Sequence, residues 1–382
     1  IARANDNDES GNKADKITLT NCWFDGEVYA KGETTTYAGG LVSAVIQGDL
    51  LVEHCLNTGT IHSECTGRAV HVAGLVGSVS HVEARLVMND CLNAGKIDAA
   101  YDVGVGSVIG RLSSEKHSAN LTNVYTTEES HIKTIGTSSG TIKGGAIRLP
   151  KSIMTGKSAY RYTTLDYAKY WTTTASGTPQ LRKFAKTTQS TAGMSKAIDI
   201  SWYKDDAKTF TLKNLKQFYG FAFLATGNNF EGKTVKLGTD ITVNTPNMEA
   251  WKAGTATGAN PWISIGNEGM EFNGTFDGQG HTIKGIYVKS DTQYTGLFGR
   301  ASYDSVIKNF KLVDSYFCNT NEELAMTGSV AGEIRGRMEN VYSNAVVVGH
   351  AQQIGGMVAR INDYDDYKRE TAKEIADKVV VK

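Results

Sequence analysis

Three cysteines are the first residues in this sequence whose type and spacing could support chemistry. Cys22, Cys55 and Cys91 stand in the same column of a repeated segment, 33 and 36 residues apart. Thiolates bind metals and react with oxidants, but no cysteine or histidine pair here has zinc-ligand spacing. A fourth copy of the segment has Val124 in this column. A column that accepts valine does not select for thiolate chemistry, so we predict a buried structural ladder.

Carboxylates form the second set of candidates. Solenoid enzymes that cleave polysaccharides use acidic or basic groups that converge on one face. The acids in the repeated segments do not share a column, and we interpret them as solvated turn or loop residues: Asp25, Asp98, Asp102, Asp277 and Asp314. The sequence has no GxSxG elbow, HExxH helix, phosphate-binding loop or dinucleotide fingerprint after a strand. It therefore predicts no catalytic residues and no cofactor.

Two smaller features were weighed as binding sites for ions or protons. Asp363, Asp365 and Asp366 offer clustered oxygen ligands for calcium, but the glycine and distal glutamate of a recognised calcium loop are missing. His281 follows a glycine and precedes an alternating strand, which is typical of a turn histidine. We therefore predict a solvated acidic loop, a structural histidine and no metal site.

The elements that position these residues are internal repeats. The cysteine column belongs to segments that begin at Leu19, Val52, Met88 and Leu121, and glycine-rich apolar segments begin at Ala38, Val72, Gly104, Tyr294, Thr327 and Ile354. Short alternating strands separated by Gly or Asn turns at a long, nearly constant period are typical of a solenoid. We predict an all-β protein, a right-handed parallel β-helix or β-solenoid. Asparagines just before the column, Asn21, Asn123, Asn309 and Asn340, are expected to form a partial stack at a turn.

A polar, small-residue stretch divides the repeats into two tandem partial modules. We expect the C-terminal part of one module at 1–185, a linker at 186–195 and the N-terminal part of a second module at 196–382. The segment Phe210–Leu224 has apolar residues at helical spacing and is predicted to be a short capping helix of the second module. The chain is expected to be a monomeric fragment of a larger protein.

Composition excludes several partners. The 40 basic and 40 acidic residues balance, so nothing in the totals favours nucleic acid. No apolar run is long enough for a membrane span, and we expect no membrane insertion. Glycine stands at 41 and proline at 4, a ratio that favours regular tight turns over a proline-rich linker.

The glycine-rich repeats resemble a known family. The resemblance is carried by the segments Phe272–Ile283, Gly296–Gly299 and Ile307–Phe310, preceded by strands like those in 230–243 and 262–266. These resemble the GLUG-motif repeats of bacterial surface proteins. The copies 328–331 and 106–109 keep the glycine but lack the leucine of the motif. The resemblance implies a β-helix-like solenoid of large secreted or wall-anchored proteins, including adhesins and non-catalytic parts of immunoglobulin-cleaving peptidases.

This resemblance leads to a functional expectation. We expect a non-enzymatic module of an extracellular bacterial adhesin, secreted or at the cell surface, that binds a host glycoprotein, mucin or immunoglobulin. Two alternatives remain open: a carbohydrate-active β-helix lyase or hydrolase, and an inert spacer stalk.

Aromatic residues are the candidate binding residues, because exposed aromatic rings on loops contribute strongly to recognition. Trp251 lies in an insertion, 244–261, that interrupts the strand pattern. Tyr294 and Tyr303 flank the Gly-Leu-Phe-Gly strand. These three residues are predicted to contact the ligand.

Overall fold

The strands of successive coils pair in parallel and in register in a computed structural model of the chain. The structure describes residues 3–5, 17–33, 35–65, 69–80, 84–100, 104–127, 130, 133–267, 269–322, 325–350, 353–361 and 380–381. It is all-β, 7% helical, and forms a β-solenoid of about 10 turns, which confirms the predicted fold class. The chain divides into two compact units, Ile1–Ser195 and Lys196–Lys382.

The first unit is built from short strands that repeat coil after coil. Its described strands and helix are β1 (Arg3–Asn5), β2 (Ile17–Thr20), β3 (Trp23–Phe24), β4 (Glu27–Ala30), β5 (Thr35–Gly39), β6 (Val42–Gln47), β7 (Asp49–Glu53), β8 (Leu56–Asn57), β9 (Thr60–Ser63), β10 (Ala69–Ala73), β11 (Val76–Val79), β12 (Arg85–Asn93), β13 (Ile97–Ala99), β14 (Val105–Gly106), β15 (Ile109–Leu112), β16 (Ser118–Thr127), β17 (Ile135–Ser138), β18 (Thr141–Leu149), α1 (Gly156–Tyr162), β19 (Trp171–Thr172) and β20 (Gln180–Leu181).

The faces of this solenoid are parallel sheets whose neighbouring strands come from successive coils. The longest runs β18-β16-β12-β7-β2, with β8 bridging β12 to β3, and a second runs β1-β6-β11-β15-β17. Two three-stranded sheets, β14-β10-β5 and β13-β9-β4, form the remaining faces. The pair β19 and β20, which follows the coils, is antiparallel. Residues from β19 onward therefore close the unit and do not add a coil.

The cysteine column is the buried ladder that the repeat predicts. Cys91 pairs with Val124 in the parallel register of β12 and β16. Cys55 and Cys91 are fully buried in one apolar core, and Cys22 packs against it. All are free thiols. Burial raises the pKa of the Cys91 thiol well above its usual value, which disfavours the reactive thiolate.

The position before this column has a left-handed backbone in four successive coils of the first unit. Asn21, His54, Asp90 and Asn123 have φ of 55°, 49°, 54° and 52°. Asparagine, aspartate and histidine are the non-glycine residues that most readily adopt this conformation. The left-handed turn thus explains why Asn, His and Asp occupy the position before the cysteine column.

The second unit has the same construction with a different start. Its described elements are β21 (Thr209–Leu212), α2 (Leu215–Leu224), β22 (Thr234–Leu237), β23 (Ile241–Thr242), α3 (Met248–Lys252), β24 (Thr275–Asp277), β25 (Thr282–Lys284), β26 (Tyr287–Ser290), β27 (Tyr294–Thr295), β28 (Phe298–Ala301), β29 (Val306–Val313), β30 (Tyr316–Asn319), β31 (Met326–Gly328), β32 (Ala331–Ile334), β33 (Arg337–Ser343), β34 (Val346–Gly349), β35 (Gln353–Gly355), β36 (Val358–Ile361) and β37 (Val380–Val381).

An asparagine stack runs through the turns of this unit, as expected. The Asn340 side-chain amide donates to Asn309 Oδ1 at 3.1 Å, and the Asn309 amide donates to Asp277 Oδ1 at 3.0 Å. Two glycines of this unit show why the repeats are rich in glycine. Gly285 adopts a left-handed backbone, with φ of 74°. Gly299 allows close approach between coils, because a Cβ there would lie 2.4 Å from the Gly266 carbonyl oxygen.

The predicted helix at Phe210–Leu224 is shorter than expected. Residues Thr209–Leu212 form β21, because they alternate between exposed and buried and pair with β22. The helix begins at Leu215, where the side chain of Asn214 accepts from Gln217 N and Gln217 Oε1 accepts from Lys213 N. The pair is a variant of the capping box in which the return bond goes to the N–H one residue before the N-cap. Phe221 packs its ring against Phe230, Phe272 and Phe276 of the coils.

Candidate functional site

The three aromatic residues predicted to bind ligand lie inside the second unit. Trp251 is only 3% exposed, and its ring packs against Tyr287 at 5.4 Å between centroids. Tyr294 is 8% exposed and Tyr303 is half-buried. Helix α3 turns the Trp251 side chain inward, so the insertion covers a sheet face of the unit. The premise of exposure does not hold for Trp251 and Tyr294, and a binding role for the three residues stays a prediction.

The two tyrosines are brought together by a buried ion cluster. The Arg300 guanidinium lies over the Tyr294 ring and that of Arg335 over the Tyr303 ring, at 5.2 and 5.4 Å from the ring centroids. Both arginines bind the fully buried Glu333, at 3.1 and 2.8 Å from Oε1. Burial alone would lower the pKa of Arg300, but the neighbouring glutamates outweigh it and the pKa is raised. Glu271 and Arg360 extend the cluster to the surface with side chains 22% and 38% exposed, while Glu333 at its centre is fully buried, which is typical of a structural network.

An open cleft on the first unit is a better site for a ligand. Its volume is about 790 Å³. Eleven residues line it, from the first two coils and from the segment after β19: Trp23, Asp25, Thr58, Thr174, Ala175, Ser176, Gly177, Gln180, Phe184, Lys186 and Thr187. This volume lies within the range of roughly 300–1,000 Å³ that is common for small-ligand sites. We refer to it as the Trp23 cleft.

The solenoid wall of the cleft is held by hydrogen bonds between coils. Trp23 Nε1 donates to Thr58 Oγ1 at 2.6 Å, and the Thr58 hydroxyl donates to Asp25 Oδ1 at 2.5 Å. Thr58 is itself fixed, because its backbone amide donates to the Phe24 carbonyl at 2.9 Å. The indole ring, the hydroxyl and the carboxylate therefore keep one relative orientation.

The opposite wall belongs to the closing segment that follows the coils. This segment is bonded to Asp90, one of the residues with a left-handed backbone before the cysteine column. Trp171 Nε1 donates to Asp90 Oδ2 at 2.6 Å, and the Asp166 amide donates to Asp90 Oδ1 at 3.2 Å. His54 Nδ1 also contacts Asp90 Oδ2, at 3.0 Å, and its ring stacks on Tyr170 with centroids 3.4 Å apart. A buried carboxylate thus joins two coils to the cleft wall.

Residues after β19 complete this wall. The Gly177 amide donates to Thr174 Oγ1 at 2.9 Å, and Arg182 Nη2 donates to the Tyr167 and Trp171 carbonyls at 2.6 and 3.0 Å. Thr173 forms a bridge with Gln189, so residues at the start of the expected linker 186–195 contact the first unit. Phe184, at the mouth of the cleft, is 46% exposed.

The cleft combines aromatic surface with groups that donate and accept hydrogen bonds. Trp23 and Phe184 provide the aromatic surface. Asp25 accepts, Lys186 donates, and hydroxyls and the Gln180 amide do both. Such a site can hold an uncharged polar ligand by stacking and hydrogen bonding.

The sequence does not identify these residues as a site. It indicates a solvated loop acid at Asp25, and it places Trp23 in a repeated segment and Phe184 beyond the repeats. The available signal was the aromatic residue one place after Cys22, where the corresponding residues of the next two copies are Leu56 and Leu92.

In the part of the chain that the structure describes, no group of three or more His, Cys, Asp or Glu side chains could hold a metal ion. No described helix has the length and hydropathy to cross a membrane. The predicted acidic loop at Asp363, Asp365 and Asp366, and Asp102, lie outside the described residues.

Comparisons with known proteins give limited similarity. No family profile and no solved structure matches the chain significantly. A stretch of 129 residues, 33% of this chain, is 30% identical to a protein named Halomucin from Haloquadratum walsbyi. A stretch of 81 residues, 21% of this chain, is 30% identical to a protein named "Putative Gly-rich membrane protein" from Evansella cellulosilytica. The chain spans about 1% and 9% of these relatives. The stacked coils show a repeat protein, and the two relatives match it over part of its length only.

Proposed function

We propose that this chain is a non-enzymatic ligand-binding module of a secreted or cell-surface bacterial adhesin. The observation that carries the proposal is the Trp23 cleft, an open site with fixed aromatic and polar groups on an otherwise repetitive solenoid. The resemblance to GLUG-motif repeats supports the adhesin class and a host ligand, a glycoprotein, a mucin or an immunoglobulin. The names of the two relatives are consistent with a surface location.

Binding is favoured over glycan cleavage by the residues of the cleft. Glycoside hydrolases need two carboxyl groups on opposite sides of the scissile bond, about 5–10 Å apart. Among the described residues that line the cleft, Asp25 is the one carboxylate, and it accepts from Thr58. A single exposed carboxylate is suited to accept hydrogen bonds from a ligand.

The proposal is tested by measuring binding of the full chain to immobilised mucin, to secretory immunoglobulin and to a matrix glycoprotein, with serum albumin as a reference surface. Saturable binding to at least one of the first three is expected. The same samples are assayed for new reducing ends and for unsaturated sugar products. Turnover would replace the adhesin by a carbohydrate-active enzyme, and absence of binding to every surface would favour a spacer.

A further inference from the structure

We propose that the Trp23 cleft is a binding site for a neutral oligosaccharide. This inference rests on the proposed function and gives its ligand a chemical class. It depends on the way Trp23 is held, on the polar groups around it and on the balance of charge in the cleft.

Trp23 lines the cleft with an indole whose hydrogen-bond donor is already occupied. Its Nε1–H is already bonded to Thr58 Oγ1 at 2.6 Å. What remains available is the ring surface, and the exposed ring of Phe184 also lines the cleft. Pyranose rings carry a face of C–H groups that packs on aromatic rings, whose faces are negative and attract positively polarised hydrogens.

The polar groups of the cleft suit hydroxyl groups of a ligand. Each sugar hydroxyl can donate and accept hydrogen bonds. A sugar binds less tightly when a buried donor or acceptor is left unpaired. Asp25 accepts from Thr58 through Oδ1. Among the described contacts, its Oδ2 is therefore the oxygen that can accept from a ligand. The Gln180 amide and the Ser176 and Thr187 hydroxyls provide both donors and acceptors nearby.

Charge selects against strongly anionic ligands. Asp25 and Lys186 are the charged residues among the described lining residues, and their formal charges cancel. A sialylated or sulfated glycan, or a nucleic acid, would find no excess of positive charge here. The site therefore favours a neutral glycan over its acidic counterpart.

The experiment uses the full chain and two probes, neutral O-glycans released from desialylated gastric mucin and the same glycans with their sialic acid retained. Calorimetry measures binding to the unmodified chain and to Phe184→Ala, Asp25→Asn and Gln180→Ala. Tyr342→Ala is the matched control, because Tyr342 is an aromatic residue with 55% exposure in the second unit. Each cleft variant is expected to weaken binding of the neutral glycans about tenfold, and Tyr342→Ala less than twofold.

Trp23→Phe and Trp23→Ala extend the test to the residue that defines the site. Trp23→Phe keeps an aromatic face and is expected to retain measurable binding, whereas Trp23→Ala is expected to lose it. Circular dichroism and thermal unfolding verify that each variant is folded. Trp23 pairs with Leu56 in the sheet, so Trp23→Ala also tests the fold. If this variant does not fold, Phe184→Ala, Asp25→Asn and Gln180→Ala decide the outcome.

Three results would overturn the inference. If mucin binds the chain but the cleft variants bind like Tyr342→Ala, the ligand site lies elsewhere while the proposed function stands. If deglycosylated mucin polypeptide binds as tightly as the neutral glycans, or if the sialylated glycans bind more tightly, the ligand class is wrong. If neither mucin nor any glycan binds, and immunoglobulin and matrix glycoprotein also fail, the proposed function falls as well.

Discussion

The contact between Trp171 and Asp90 is predicted to hold the closing segment on the solenoid. Asp90 is 6% exposed and Trp171 is fully buried. Trp171→Phe removes the Nε1–H that donates to Asp90 Oδ2 at 2.6 Å. A hydrogen bond to a charged group contributes about 1.5–3 kcal/mol, and the smaller ring leaves unfilled space that costs about 1 kcal/mol more. We expect a total loss of about 2.5–4 kcal/mol in the free energy of unfolding.

Trp202→Phe is the matched control for this substitution. The Trp202 Nε1–H donates to the uncharged Asp199 carbonyl at 2.8 Å, and the ring is half-buried. Its loss is expected to cost about 1 kcal/mol. Native-state hydrogen exchange of residues 156–182 measures the opening free energy of the closing segment, which Trp171→Phe should lower and Trp202→Phe should leave unchanged.

A double-mutant cycle with Asp90→Gly isolates the interaction, because glycine lacks the acceptor and adopts the left-handed backbone of this position. If the bond carries the stability, Trp171→Phe lowers the free energy of unfolding by about 1.5–3 kcal/mol less in the Asp90→Gly background. A coupling energy below about 0.5 kcal/mol would refute the reasoning. In that case packing of the indole, not its bond to the buried carboxylate, would fasten the cleft wall.

Substitutions at three further positions follow from the same structure. Cys91→Val is expected to change the free energy of unfolding by less than about 1.5 kcal/mol, because the ladder already pairs Cys91 with Val124. Cys91→Ser buries a hydroxyl and is expected to lower the free energy of unfolding by about 1–3 kcal/mol. Urea unfolding measures both values. Glu333→Leu removes the buried carboxylate that Arg300 and Arg335 share and leaves them Glu271 alone, so it is expected to lower the free energy of unfolding by up to about 3–5 kcal/mol, measured by thermal and urea unfolding. Burial, with Arg111 alongside, lowers the pKa of His71 from 6.5 to about 4. As pH falls, the His71 side chain is therefore protonated in the unfolded chain before it is protonated in the folded one, and stability is lost between about pH 6.5 and 4. Calorimetric melts across this range measure the loss. It should be absent in His71→Gln.

Each of these predictions has its own contradiction. A Cys91→Val loss as large as that of Cys91→Ser would show that the thiol itself is required. Lys31→Ala is the control for Glu333→Leu, because it removes an exposed ion pair with Glu64. It should lower the free energy of unfolding by less than about 1 kcal/mol. An equally small loss for Glu333→Leu would show that the burial of Glu333 does not matter for stability. A pH dependence that His71→Gln leaves intact would place the titration on another group.

The repeat made the coil architecture predictable. Cys22, Cys55 and Cys91 share a column because each coil must meet the next in register, and a periodic sequence states that requirement directly. The left-handed turn before the column follows in the same way, since asparagine, aspartate and histidine tolerate it. Helix α2 was predicted too long because Thr209–Leu212 pairs with β22, a contact that local periodicity does not contain.

The candidate site, by contrast, could be found only in the tertiary structure. Trp23 and Phe184 are separated by almost the whole first unit, and no repeat links them. They line one cleft because the closing segment folds back along the coils and is fastened there by Asp90. In the same way, α3 buries Trp251 where the sequence alone favoured exposure. The sequence by itself determined how like residues stack from coil to coil, because stacking repeats a local pattern. Only the tertiary structure decided which unlike residues face each other across the cleft, because that depends on where a non-repeating segment docks.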